Sequence, residues 1–159
     1  MDKYPKNIRR KTMQAIKSSN SSLELMVRKF LWKNKIKYRV NQKKLFGNPD
    51  ISLKKYKIAL FIDSCFWHGC KLHCRMPMGN KEYWTRKIEN NKKRDSKVNE
   101  YYKSNKWFII RIWEHDLKHF DNFTLEDLNN LINAIMNGKP KVVPGLYVSN
   151  GKRGIKKRD

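Results

Sequence analysis

Apolar residues recur along this chain with two different periods, and the change of period marks its elements. In SSLELMVRKFLWKNK, residues 21–35, the positions Leu23, Met26, Val27, Phe30 and Leu31 have helical spacing. Ser21, with Glu24 three positions later, supplies a capping box at the start of that helix. KYRVN (37–41) reads as a strand and LFGNPD (45–50) as a turn. ISLKKYKIALFID then contains two strand-like runs, 51–53 and 57–63, around a Lys-Lys turn, as in a hairpin. Periodicity is lost over residues 62–79, which predicts an irregular loop. A long polar helix is expected from Asn80 to Asn105. Its sparse stripe of Trp84, Ile88, Val98 and Tyr102 is interrupted at the same spacing by Asn91 and Asp95. WFIIRIW (107–113) is apolar on nearly both faces, which suits a central strand. TLEDLNNLINAIMNG (124–138) predicts a last helix, with Leu125, Leu128, Leu131, Ile132 and Ile135 on one side and Gly138 closing it.

The order α, β, β, β, α, β, α implies an α/β fold, a mixed sheet flanked by helices. Residues 1–20 form a basic, polar N-terminal segment with a short helical signal at Thr12–Ile16, and residues 21–138 the main domain. Residues 139–159, rich in Pro, Gly and basic side chains, read as a tail with a mobile end. No internal repeat is evident.

Composition narrows the function. The 159 residues, 39% hydrophobic and 12% aromatic, suffice for one domain with a real core. No run approaches the ~20 apolar residues of a membrane helix. The polar start, MDKYPKNIRR, lacks a hydrophobic signal region, so a cytoplasmic location is expected. Lys and Arg number 37 against 14 Asp and Glu, a net charge of +23. That charge predicts a polyanionic partner, most simply nucleic acid; the alternative is a basic component of another assembly, such as a ribosome-bound factor.

A strongly basic chain that keeps carboxylates beside nucleic-acid contacts needs a reason for them. Asp50 follows Asn48-Pro49 just before one strand, and Asp63 ends the next. In a hairpin both can meet at one end of the sheet, where hard oxygen ligands suit Mg²⁺. This is also the skeleton of the PD-(D/E)-x-K nucleases, although a Pro-Asp pair alone is equally an ordinary turn. Glu24 is the capping-box acid and can additionally support such a metal site.

All three cysteines lie within residues 65–74, in IDSCFWHGCKLHC. An odd, clustered set mixed with histidine favours metal over disulfides. The soft ligands are Cys65, His68, Cys70, His73, Cys74 and, beyond the central strand, His115; zinc takes four such ligands in a structural site. The alternative is a set of reduced, unliganded thiols. His68 can instead exchange a proton with water attacking phosphorus or with the leaving oxygen, or contact DNA. Phe66 and Trp67 sit in a polar loop, where an apolar pair can wedge between base steps, or can be core; Trp84 has the same two readings.

Taken together these residues resemble the very-short-patch repair (Vsr) mismatch endonucleases. The resemblance covers roughly residues 8–136, through RKTMQAIKSSNSSLE, GNPDISL, ALFIDSCFWHGCKLHCRMP, EYWTRKIENNKKRD and WFIIRIWE. It implies a restriction-endonuclease-like fold with Mg²⁺, and a nick 5′ to the thymine of a T:G mismatch left by deamination of 5-methylcytosine. Asp50 would be the principal Mg²⁺ ligand, with the backbone carbonyl of Ile62. His68 would be the general acid/base, assisted by Glu24. Asp63 falls where members carry an acid or a histidine. The superfamily's lysine is absent, Ser64 and Cys65 following Asp63, and His68 takes its place. Phe66, Trp67 and Trp84 would form a wedge from the major groove, with Met13 approaching from the minor groove and Lys87 and Asn91 reading the mismatched bases. Structural zinc would fall on Cys65, Cys70, His73 and His115, with Cys74 the rival to His73. The implied partner is double-stranded DNA, with a functional link to a cytosine-5 DNA methyltransferase, and a monomer is expected. A restriction-like nicking nuclease of changed specificity, or a noncatalytic zinc-stabilised DNA-binding protein, are the competing readings.

Overall fold

The computed structural model describes residues 21–118, 122–139, 142, 144–149 and 155–158. The N-terminal segment, with Met13, lies outside them. Helix α1 spans Ser22–Lys33 and opens on the expected capping box. The Ser21 hydroxyl accepts from the Glu24 amide at 3.2 Å, and the Glu24 carboxylate accepts from the Ser21 amide at 3.3 Å. Such a cap contributes about 1 kcal/mol, and it fixes where the first turn, and so Glu24, sits.

Strands β1 (Arg39–Val40), β2 (Ile51–Leu53) and β3 (Ile58–Asp63) follow, with a 3-10 turn over Lys54–Tyr56 joining the hairpin. Then come α2 (Lys81–Ser104), β4 (Phe108–Trp113), a short α3 (Glu114–Lys118), α4 (Asn122–Met136), β5 (Gly145–Ser149) and β6 (Ile155–Arg158). Among the described residues these strands form one six-stranded sheet in the order β1-β2-β3-β4-β5-β6. The outer pairs β1–β2, β2–β3 and β5–β6 are antiparallel, while β3–β4 and β4–β5 are parallel. The sheet is therefore mixed, as the element order implies.

Alternation along β3 and β4 sends side chains to two cores. Ile58, Leu60, Ile110 and Ile112 pack with Val27 and Leu31 of α1 and Leu128 and Ile132 of α4. On the other face Ala59, Phe61 and Ile109 pack with Val98 and Tyr102 of α2. Asp63 and Arg111 continue that second face beyond its apolar part.

The C-terminal stretch differs from the sequence expectation of a tail with a domain boundary at residue 138. β5 pairs with β4 from Phe108↔Gly145 to Arg111↔Val148, and β6 pairs with β5. The sheet thus runs to Arg158. β6 is Ile-Lys-Lys-Arg, and a charged edge strand has no hydrophobic alternation to betray it; lysines there also discourage pairing with other chains. The short α3 also went unpredicted, since five residues are too few to establish a period.

The turn that delivers Asp50 is pinned from behind by α2. Tyr102 donates its hydroxyl to the Phe46 carbonyl at 2.8 Å. Gly47, at φ 76°, lies so close that a Cβ there would stand 2.7 Å from a Val98 methyl. Any side chain at Gly47 would be strained and would push the turn, and with it Asp50, off the helix.

Candidate active site and metal centre

Asp50 sits at the start of β2, and its Oδ2 accepts from the Ile62 amide at 2.7 Å. The two positions expected to share a cation are therefore adjacent. Burial lifts the Asp50 carboxyl to about 6; the Ile62 amide opposes this, Glu24 and Asp63 push it further up, and Arg28 pulls it down. Negative groups gathered around a largely buried carboxylate form a set of hard oxygen donors that a divalent cation would relieve. Glu24 itself is buried, and Arg28 Nη2 donates to its Oε2 at 2.8 Å.

Asp63 is brought near but is differently engaged. It is 3% exposed, and Arg111 Nη1 donates to both of its oxygens, at 2.7 and 2.8 Å. Its Oδ1 lies 3.7 Å from His68 Nδ1. The nearer partner of His68 is Asp95, whose Oδ2 stands 2.6 Å from the same nitrogen. Burial alone would lower the His68 pKa; the hydrogen bond to Asp95 and the charges of Asp63 and Asp95 outweigh it, and the net shift is upward. Asp95 moves down, because its bond to His68 and the Arg111 charge outweigh its own desolvation. With Nδ1 committed to a carboxylate, Nε2 is the nitrogen left for chemistry. Asp95 was visible in the sequence only as a polar interruption of an apolar helix stripe. That interruption is the signal: a buried-face carboxylate needs a partner.

The loop between β3 and α2 carries the soft donors. One donor atom each from Cys65, Cys70, His73 and His115 lies within 4.8 Å of all the others. Cys65 Sγ is 3.2 Å and Cys70 Sγ 3.7 Å from His115 Nδ1, and Cys70 Sγ is 3.8 Å from His73 Nδ1. Two thiols and two imidazoles around a tetrahedral ion, with bonds near 2.3 and 2.0 Å, stand about 3.3–3.8 Å apart, so the donor set and its spacing suit a metal such as zinc. Cys74 is not among the four; its Sγ points to the Phe66 carbonyl at 3.7 Å. Supporting groups surround the cluster. Glu114 Oε2 accepts from the Cys65 amide at 2.9 Å and the Ser64 hydroxyl at 3.0 Å. His115 Nε2 lies 3.5 Å from Asp116, which orients Nδ1 toward the thiols. Burial pushes the Cys65 thiol up to about 11, so a bound cation is what would favour its thiolate.

The same loop packs Phe66, Trp67 and Trp84 into one aromatic cluster, with ring centres 5.0, 5.4 and 5.9 Å apart and each ring only half-buried. Tyr83 adds a fourth ring, 5.1 Å from Trp84. The cluster is held from α2: Asn91 donates to the Trp67 carbonyl at 2.9 Å. Gly69, at φ 61°, allows the loop to lie on Ile88 and Lys92, where a Cβ would clash at 2.3 Å. Asn91 thus braces the loop, whereas Lys87, one helical turn earlier, is exposed. Together the two sites present, on one loop and one sheet end, hard oxygen donors, a carboxylate-held imidazole, a soft metal cluster and an aromatic prow, on a chain of net charge +23.

The sequence profile of the family described as DNA mismatch endonuclease Vsr matches residues 1–75. The Type II nicking enzyme V.HpaIIP of Haemophilus parainfluenzae is 45% identical over 130 residues, 79% of this chain and 92% of that one. The Type II nicking enzyme V.NmeDIP of Neisseria meningitidis serogroup C is 40% identical over 119 residues, 74% and 80% of the two chains. The DNA mismatch endonuclease Vsr of Escherichia coli is 29% identical over 130 residues, 80% and 82% of the two.

Proposed function

The chain belongs to the Vsr family and is a DNA endonuclease; from that premise we propose that it nicks one strand of duplex DNA 5′ to the thymine of a T:G mismatch, the product of 5-methylcytosine deamination. The observation that carries this reading is the meeting, at one end of the sheet, of Asp50 with Ile62 and of His68 with Asp95, directly beside the aromatic cluster. The restriction-endonuclease-like fold expected of the family accords with the mixed sheet and with Asp50 at its β2–β3 hairpin.

Asp50 and the Ile62 carbonyl would hold Mg²⁺. Bound there, the ion supplies charge neutralisation and Lewis-acid activation at a phosphate. The chain's own residues do the rest. His68 keeps Nδ1 on Asp95 and exchanges a proton through Nε2, with attacking water or with the leaving oxygen. Glu24 contributes negative charge beside Asp50 and stays fixed by its cap and by Arg28. Phe66, Trp67 and Trp84 enter the base stack, an unstacking of about a few kcal/mol repaid by contacts in the kinked state. Lys87 approaches the mismatch from α2, with Asn91 bracing the loop, and Met13 meets it from the N-terminal segment. Cys65, Cys70, His73 and His115 would hold zinc, which would keep the loop ordered before DNA arrives. The biological counterpart of such an activity is a cytosine-5 DNA methyltransferase that creates the vulnerable base, and one active site with one nick suits a monomer acting in the cytoplasm on nucleoid DNA. No described helix is long and apolar enough to cross a membrane.

A second reading is a nicking enzyme whose target is not the mismatch; the names of the Haemophilus and Neisseria relatives favour keeping it in view. Labelled duplexes with T:G in several contexts, matched T:A controls and Mg²⁺ separate the two. The mismatch reading expects a single nick 5′ to the mispaired thymine. Equal cutting of T:A duplexes would establish the second reading instead.

A further inference from the structure

Strand β4 reads Phe-Ile-Ile-Arg-Ile-Trp, and the arginine in its middle is out of place in an apolar central strand. Arg111 is 6% exposed. Burying a guanidinium without partners is strongly unfavourable, so its contacts must be extensive. They are. Nη1 grips both oxygens of Asp63, Nη2 donates to Asp95 Oδ1 at 3.4 Å, Nε donates to Asn99 Oδ1 at 3.0 Å, and the guanidinium lies over the Phe61 ring, 4.8 Å from its centre. All three guanidinium nitrogens are thereby engaged, and the planar fork is fixed in one orientation.

The two carboxylates that Arg111 holds are the two that face His68 Nδ1, Asp95 at 2.6 Å and Asp63 at 3.7 Å. They come from different elements, β3 and α2, and Arg111 from a third. Among the described residues of the sheet, it is Arg111 that pairs with both. Without the fork, the buried Asp63 and the half-buried Asp95 near one imidazole would repel one another, and either could shift to capture or release the ring. We propose that Arg111 is a positioning residue for strand cleavage, locking Asp63 and Asp95 so that His68 has one orientation, with Asn99 holding the fork in turn. Asp63 then belongs to this clamp rather than to the cation site of Asp50. The inference rests on His68 as the proton-exchanging group.

The test compares Arg111→Lys, Asn99→Ala and His68→Ala in single-turnover nicking of a T:G duplex with Mg²⁺, alongside metal-free DNA binding and the downfield proton NMR signal of the His68 Nδ1–H bond. Lysine keeps the charge but cannot reach Asp63, Asp95 and Asn99 together. The rate for Arg111→Lys is expected to fall about 10- to 100-fold, part of what a positioned acid–base group contributes, with DNA affinity unchanged and the downfield signal moved or lost. Asn99→Ala, a mild change on a half-buried helix position, is expected to slow nicking about threefold, and serves if the lysine variant does not fold. Full-rate nicking by Arg111→Lys or Asn99→Ala with an inactive His68→Ala overturns the clamp and leaves the His68 reading standing. Full-rate nicking by His68→Ala removes both.

Discussion

The two donor clusters of this protein lie on one loop and its neighbouring strands, yet they are built to opposite specifications. The Cys65–Cys70–His73–His115 cluster brings four soft donors to one point, with Glu114 bracing the Cys65 backbone and Asp116 beside His115. Four protein ligands complete a tetrahedron and leave no place for substrate. The Asp50 region offers hard oxygens, one of them fixed to a backbone amide, and a carboxyl held near 6 by burial. An incomplete oxygen shell leaves positions for water and phosphate. The contrast suits the proposed division of labour, in which a saturated cluster would build the loop and an incomplete one would do the chemistry. The aromatic cluster and His68 hang from the saturated side, so the proposed insertion device and the proposed proton-exchanging group share one scaffold.

Breaking the incomplete side has the largest expected effect. Asp50→Ala should lower nicking by about a thousandfold or more while leaving DNA affinity within a few-fold, measured by single-turnover cleavage and a metal-free binding assay. Breaking the saturated side should act on binding as well. Cys65→Ser, or chelation, is expected to weaken T:G binding about 100-fold and to lower the melting temperature, because loop ordering is then charged to the binding step. Unchanged T:G affinity after chelation would sink the coupling of the two regions. Trp67→Ala is smaller: about 10- to 30-fold weaker discrimination of T:G over T:A, with low-salt binding to matched DNA retained.

The link between the regions can be sharpened by pH. Asp95 and Asp63 raise the His68 pKa above its ordinary 6.5, so the ring keeps its proton to higher pH than a free imidazole. Asp95→Asn removes that support, and the limb of the rate profile that belongs to His68 should move to lower pH, with about a tenfold loss at the optimum. The smallest effect concerns stability. The folded Asp50 pKa, about 6, lies above its unfolded value near 3.8, so ionisation destabilises the metal-free fold progressively as pH rises from about 4 to 6. At pH 8 without divalent cation, Asp50→Asn should therefore melt a few degrees higher than the wild-type chain, and at pH 3 the gain should vanish.

Much of this arrangement is legible in the chain itself. Ser21 and Glu24 announce the start of α1, the Lys-Lys turn marks the hairpin, and WFIIRIW marks the central strand, because each rests on local periodicity or a local hydrogen bond. His68 and the four soft donors stand out because the chain has only three cysteines and four histidines, and Asp50 because it follows Pro49 just before a strand. What escaped is non-local. The interruption of the helix stripe at Asp95 signals a partner, but which partner it has, and what Arg111 does, emerge only when α2 packs against the paired strands β3 and β4. β6 escaped because its pairing comes from backbone groups, which every sequence has, while its lysines and arginine resemble a solvated tail.

The central claim is that the two clusters take different metals for different purposes, and metal content read beside activity tests it most directly. Wild-type, Asp50→Ala and Cys65→Ser proteins would be purified without added metal, assayed for bound zinc, and then given Mg²⁺ and a T:G duplex. The account predicts one zinc in the wild type and in Asp50→Ala, nicking only by the wild type and only with Mg²⁺, and loss of zinc in Cys65→Ser. Zinc retained by Cys65→Ser but lost from Asp50→Ala, or nicking that persists in Asp50→Ala, would contradict it.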